Sequence, residues 1–162
     1  MNPIIINPIG IIHTPYREIS KMPIQPAAAK GIRGFIELLP EYVEGLADLS
    51  GFSHIILLYY FHKICGYEIT VKPFMDDAEH GIFSTRAPKR PNAIGLSTVK
   101  LIGIENNIIH FEQADMLDES PLIDIKPFFQ KYDNRMKTKA GWLEKIKNRK
   151  SEELISDERF KY

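Results

Sequence analysis

The chain has 162 residues, 44% of them hydrophobic, with 21 basic and 21 acidic side chains and a formal net charge of zero. This suits one domain with a sizeable core, and it rules out reading a polyanionic partner from global charge alone. The single cysteine, Cys65, excludes an internal disulfide and a cysteine metal cluster, and no apolar run reaches the roughly 20 residues of a membrane helix.

A reducing compartment follows from the cysteine count, and the N-terminus lacks a basic segment leading into a long apolar run. A cytoplasmic protein without a membrane or secretory segment is therefore expected. Charge is also segregated. Residues 85–106 carry Arg86, Lys89, Arg90 and Lys100 against Glu105, and residues 135–150 carry seven cations against Glu144. Such clustering permits a basic face.

In chain order, residues 4–6 and 9–12 are β-branched runs split by Asn7-Pro8, which predict two short strands with a break. Residues 20–31 form a long loop holding Met22-Pro23-Ile24-Gln25-Pro26 and three alanines that suit a single helical turn. Loops of this length in a compact domain tend to be functional or to be plain connectors. Residues 34–39 predict a strand, and Pro40-Glu41 opens a short helix through Leu46 with Val43, Leu46 and Leu49 on its buried side. The run 54–61 is almost wholly apolar and predicts a central strand buried on both faces. Residues 67–71 predict a further strand, and 76–81 a polar loop.

Residues 83–97 then concentrate cations between prolines. Pro88 and Pro91 fix the backbone around Arg86, Lys89 and Arg90, and Gly95 leads into apolar Leu96, Val99 and Leu101. This reads as a rigid, positively charged loop feeding a buried strand, or as a solvated proline turn with ordinary surface cations. Residues 94–104 and 108–113 flank a hairpin turn at Glu105-Asn106-Asn107. A last short strand is expected over 123–128. From Arg135 onward, Trp142, Leu143 and Ile146 on a lysine-rich background predict a basic helix with one apolar stripe. The expected architecture is mainly β: a single barrel-like domain over residues 1–131, short peripheral helices, and a basic helical tail over 132–162.

Phosphate-loop, dinucleotide, nucleophile-elbow and zinc spacings are all absent. His54 and His62 lie too far apart along one strand to share a metal ion, so His62 reads either as a hydrogen-bonded strand-end residue or as a ligand contact. Asp115-Met116-Leu117-Asp118-Glu119-Ser120-Pro121 emerges from the end of an apolar strand. Its carboxylates suit hydroxyls or amines of a ligand, or local turn capping. No metal is expected, because these carboxylates lack regular ligand spacing.

Taken together, these stretches resemble the TrmO family of tRNA N6-methyltransferases, also called TsaA-like or YaeB-like. The matching segments are residues 9–18, Pro23-Ile24-Gln25-Pro26, Phe52-Ser53-His54 with Phe61-His62, residues 85–95 and residues 117–128. The resemblance spans roughly residues 8–131. It implies a β-barrel-like fold that binds S-adenosylmethionine, a homodimer with the cofactor near the subunit interface, and methylation of N6 of threonylcarbamoyladenosine beside the tRNA anticodon. The implied cofactor contacts are Pro23, Ile24, Gln25, His62, Lys63, Arg86, Leu96, Asp115, Met116, Leu117 and Asp118.

The residue chemistry agrees in outline. Arg86 suits the donor's carboxylate or RNA phosphates. Asp115 or Asp118 suits ribose hydroxyls or the methionine amine, and Leu96 with Ile24 suits the adenine. Lys89, Arg90, Asn92 and Lys126 are the expected RNA contacts. No catalytic base stands out, since methyl transfer needs little beyond alignment. The chain departs from the family pattern at Lys63, Ala87, Ala93 and Glu119-Ser120. The departures at Ala87, Ala93 and Glu119 motivate a rival reading, a non-catalytic RNA-binding or regulatory domain; a small-molecule methyltransferase is the third reading.

Overall fold

A computed structural model describes residues 2–20, 22–146, 155–157 and 159–160. Six strands close into an antiparallel barrel: β1 (Gly10–His13), β2 (Arg33–Leu38), β3 (His54–Tyr60), β6 (Ile94–Glu105), β7 (Ile108–Glu112) and β8 (Ser120–Pro127). Their order around the barrel is β1-β2-β7-β6-β3-β8, and β8 returns to pair with β1. Two further strands, β4 (Thr70–Val71) and β5 (His80–Gly81), form a separate two-stranded ribbon.

Alternation fills the barrel. Strand β2 buries Gly34, Ile36 and Leu38 while Arg33, Phe35 and Glu37 face out. Ile12, Ile36, Ile55, Leu57, Val99, Ile109, Phe111 and Leu122 are fully shielded and make the core. Strand β6 is twelve residues long because it serves two neighbours, pairing with β3 through its first half and with β7 through its second. Its register shifts between Leu101 and Gly103, which lets one strand turn between two partners. The hairpin turn lies where the sequence puts it. Asn106 takes a φ of 56°, and the Asn107 side-chain amide donates to the Leu38 carbonyl at 3.0 Å.

Several expectations need correction. Strand β3 is not buried on both faces. Ile55, Leu57 and Tyr59 point inward, His54, Ile56 and Leu58 are half-covered, and Tyr60 is exposed. A closed barrel has one interior, so an apolar run here reflects partial cover on the outer wall. Residues 4–6 form no strand, and Ile4 and Ile5 are over 80% exposed. A closed barrel offers no free edge to receive them, and Pro8 has no N–H to continue a ladder. Only Thr70–Val71 of the strand expected over 67–71 pairs, and its partner His80–Gly81 lies in a segment read as loop. The short helix expected from Pro40 through Leu46 is present, as a 3-10 helix. The last strand starts at Ser120, three residues early, because it must reach β1 as well as β3.

Beyond the barrel, α1 is a single α-helical turn (Gln130–Asp133), and Gly141–Lys145 is 3-10. The basic helix expected from Arg135 is absent over 134–140, and its continuation over 147–154 lies outside the described residues. Among the described residues, no helix is long and apolar enough to cross a membrane.

Candidate cofactor site

Antiparallel pairing decides where the site lies. The C-terminal end of β3, the N-terminal end of β6, the chain leaving β7 and the start of β8 all reach the same mouth of the barrel. The connection from β1 to β2, which holds Pro23, Ile24 and Gln25, crosses that same end. A cavity of about 360 Å³ opens there, within the range of small-molecule sites.

Its lining includes Ile24, Gln25, His62, Lys63, Arg86, Leu96, Asp115, Met116 and Leu117. Nine of the eleven expected cofactor contacts thus converge from five stretches of one chain. The Arg86 guanidinium donates to Gln25 Oε1 at 2.9 Å, so two segments 61 residues apart meet at the rim. Pro23 and Asp118 are not part of the lining. Pro23 forms a bridge with Ile155. Asp118 Oδ1 accepts from the Thr14 amide at 3.2 Å and faces His13 Nδ1 at 3.3 Å, which ties the loop after β1 to the start of β8. Asp115 is therefore the aspartate that faces the cavity.

The floor is a buried hydrogen-bonded chain. Ser97 Oγ donates to Asp115 Oδ1 at 2.7 Å, and the Tyr59 hydroxyl lies 3.1 Å from Ser97 Oγ. Ser97 has one hydrogen, and with it on the carboxylate Tyr59 donates to Ser97. Burial pushes the Asp115 carboxyl up from 3.8 to about 7, against the Ser97 hydrogen bond and the Arg86 charge. Burial, then the charge of Asp115, pushes the Tyr59 phenol up. His62 follows β3, and both its ring nitrogens are sealed from solvent without a hydrogen-bond partner. Burial, helped by the neighbouring Lys63, holds that imidazole below its ordinary value, which keeps it neutral at pH 7. An unpartnered buried polar group costs stability, and at a cavity wall a ligand can supply the missing partner.

The expected RNA contacts are dispersed. Arg90 lines the cavity, but its guanidinium donates to the Ile82 and Thr85 carbonyls at 3.1 and 2.9 Å and lies 6.0 Å from the Phe83 ring centre. That interaction stiffens the turn presenting Arg86. Lys89 pairs with Glu68 at 2.8 Å. Asn92 borders a neighbouring groove with Tyr60 and Tyr67. Lys126 pairs with Asp124 on β8, opposite Ile56 and towards the far end of the barrel.

Sequence reasoning missed Tyr59, Ser97, Ser156 and Phe160, all of which line the cavity. For Tyr59 and Ser97 a signal existed: each shares the inward parity of its strand with buried aliphatic residues, which singles out a polar atom aimed inside. Ser156 and Phe160 carried no such signal.

A closed antiparallel barrel whose mouth gathers a carboxylate, a guanidinium, a neutral imidazole and apolar walls is a small-molecule-binding barrel, distinct from doubly wound α/β nucleotide folds. The chain belongs to the tRNA-methyltransferase O (TrmO) family, whose N-terminal domain it matches over residues 11–134. A probable S-adenosyl-L-methionine-binding protein of Pyrococcus abyssi is 48% identical over 153 residues, covering 94% of this chain and 83% of that protein. The tRNA (adenine(37)-N6)-methyltransferase of Escherichia coli is 35% identical over 130 residues, covering 74% of this chain and 55% of the enzyme. The crystal structure of TrmO from Pseudomonas aeruginosa superposes with a TM-score of 0.73 at 36% identity, covering 87% of this chain and 63% of that one. The chain thus spans less than two thirds of that solved TrmO chain.

Proposed function

We propose that the chain binds S-adenosyl-L-methionine in the barrel-mouth cavity and methylates an adenine N6 in tRNA, at threonylcarbamoyladenosine beside the anticodon. Family membership and the names of its relatives support the activity. The observation that carries the site is the convergence of Gln25, His62, Arg86, Leu96 and Asp115 on one cavity.

The residues present fit the donor's chemistry. Arg86 at the rim matches its carboxylate, and Asp115 on the floor matches its ammonium or ribose hydroxyls. Ile24 and Leu96 offer apolar surface to adenine. The orphaned His62 nitrogens fit a ligand that brings a hydrogen-bond partner. When bound, the donor supplies an electrophilic methyl group on a sulfonium centre. The chain's own work is to hold the groups in line and to keep water from the reacting atoms. No side chain is assigned as base.

Lys89, between the cavity-lining Pro88 and Arg90, and Asn92 beside it are the RNA-facing candidates of the same proposal. Residues 1–131 would carry the donor site and 132–162 the tail, in a cytoplasmic homodimer. Exposed Tyr60, Tyr67 and Ile69 supply apolar surface for such an assembly.

The test is transfer of labelled methyl from S-adenosyl-L-methionine to tRNA. Arg86→Ala should cut incorporation by roughly ten- to a hundredfold, the size of one charge-assisted hydrogen-bond loss. Donor binding by the wild type without transfer to any RNA would point instead to a regulatory domain.

A further inference from the structure

We infer that the chain's C-terminal residues complete the donor cavity: Ser156 and Phe160 form one of its walls, and Arg159 clasps them there. This rests on the cofactor reading above.

Phe160 is 2% exposed. Its ring meets Phe74 edge-on, with centroids 5.0 Å apart, and packs with Val71, Ile82 and Ala87 in a cluster separate from the barrel core. Ser156 is bonded through both backbone and side chain. Its amide donates to the Met22 carbonyl at 2.7 Å, its hydroxyl accepts from the Met22 amide at 2.9 Å, and the same hydroxyl donates to the Ile19 carbonyl. Ile155 bridges Pro23. Arg159 donates to the Pro73 carbonyl at 2.6 Å and to that of Asp76 at 3.2 Å, with Asp157 at 2.8 Å from its Nε.

These contacts join two loops with no ladder between them. One carries Ile19, Met22, Pro23, Ile24 and Gln25; the other carries Pro73, Phe74 and Asp76. Both line the cavity, and neither belongs to the barrel. The clasp fixes their separation, and through Pro23 it fixes Gln25, which in turn holds Arg86. Loop ordering before binding is a saving in the cost of association. Ser156, Arg159 and Phe160 are therefore positioning residues for the donor.

Isothermal titration of S-adenosyl-L-methionine into the full chain tests this, alongside melting curves and separate KM values for donor and tRNA. Phe160→Ala should weaken donor binding about tenfold, as should Ser156→Ala, with the tRNA KM unchanged. Phe160→Leu, which keeps the apolar wall, should recover most of the loss. Arg159→Ala, at a residue outside the lining that holds the lining residue Pro73 in place, should weaken binding by about threefold or more. The barrel core lies apart from this cluster, so folding is expected to persist. Should Phe160→Ala fail to fold, Ser156→Ala and Arg159→Ala decide the matter. Wild-type donor affinity in these variants overturns the clasp and leaves the cofactor reading standing. A wild type that binds no donor overturns both. Equal rises in the KM for donor and for tRNA would also overturn it, since general loosening predicts that result.

Discussion

Replacing Asp115 with asparagine should stabilise the donor-free chain above pH 7 while removing most of its affinity for donor. The two effects share one cause. Burial raises the Asp115 carboxyl from 3.8 to about 7, so the folded chain favours the protonated form. In the unfolded chain the same group ionises near its ordinary value. Between these two values the unfolded state releases a proton that the native state keeps, so stability falls as pH rises from about 4 to about 7. Above that window the cost is complete, with a ceiling of about 4 kcal/mol. Asparagine cannot ionise and escapes it, but it loses the charge-assisted bond from Ser97, which returns part of the gain. Urea unfolding should therefore show Asp115→Asn ahead of the wild type at pH 8, with the gap shrinking towards pH 4. Donor binding runs the other way. The ionised carboxylate is the form that meets an ammonium or hydroxyl donor, so wild-type affinity should rise with pH through about 7, and the asparagine variant should bind weakly without that rise. A variant that binds donor as the wild type does, at every pH, would reduce Asp115 to a structural residue.

The barrel was legible because its strands are locally consistent. Ile36 and Leu38 alternate with Phe35 and Glu37, and Asn106-Asn107 supplies the turn that closes the β6–β7 hairpin. What failed were judgements needing knowledge of neighbours. Residues 4–6 have strand chemistry but no edge to join. The run 54–60 is apolar enough to be central, yet in a barrel the same run has an inner wall and a covered outer one. The cavity divides in a similar way. Ile24, Gln25, His62, Arg86, Leu96 and Asp115 were named through resemblance, since no periodicity connects residues up to 91 positions apart. Among the clustered cations, the sequence cannot say which one turns inward. Arg90 does, binding carbonyls of its own turn, whereas Arg86, four residues earlier, stays at the rim. Phe160 was invisible because one aromatic residue near a charged terminus has no local pattern to mark its burial.

Gly95→Ala should be the most damaging small substitution at the cavity. A Cβ there would sit 2.5 Å from Tyr59 Cε2 and Cζ and 3.0 Å from Phe61 Cζ. These atoms belong to rings that cannot easily retreat. Tyr59 is buried, its ring stands edge-on to Phe61 with centroids 5.5 Å apart, and its hydroxyl is held by Ser97. Overpacking of this kind costs about 1–3 kcal/mol in stability. The functional loss should be larger in proportion, because pushing the Tyr59 ring breaks the chain from Tyr59 through Ser97 to Asp115 at the cavity floor. Donor affinity should fall by more than about tenfold, one hydrogen-bond network's worth. Gly103→Ala is the matched control. It lies on the same strand, a Cβ there meets nothing within 4 Å, and its effect should stay within about 0.5 kcal/mol. Combining Gly95→Ala with Tyr59→Leu should recover stability lost by Gly95→Ala alone, because the smaller side chain vacates the clash, whereas independent sites would add. Donor affinity should not recover in that double variant, since the hydroxyl that supports Ser97 is gone. Equal melting temperatures for the alanine variants at 95 and 103 would defeat the steric argument. Full recovery of donor binding in the double variant would show that the floor works without Tyr59.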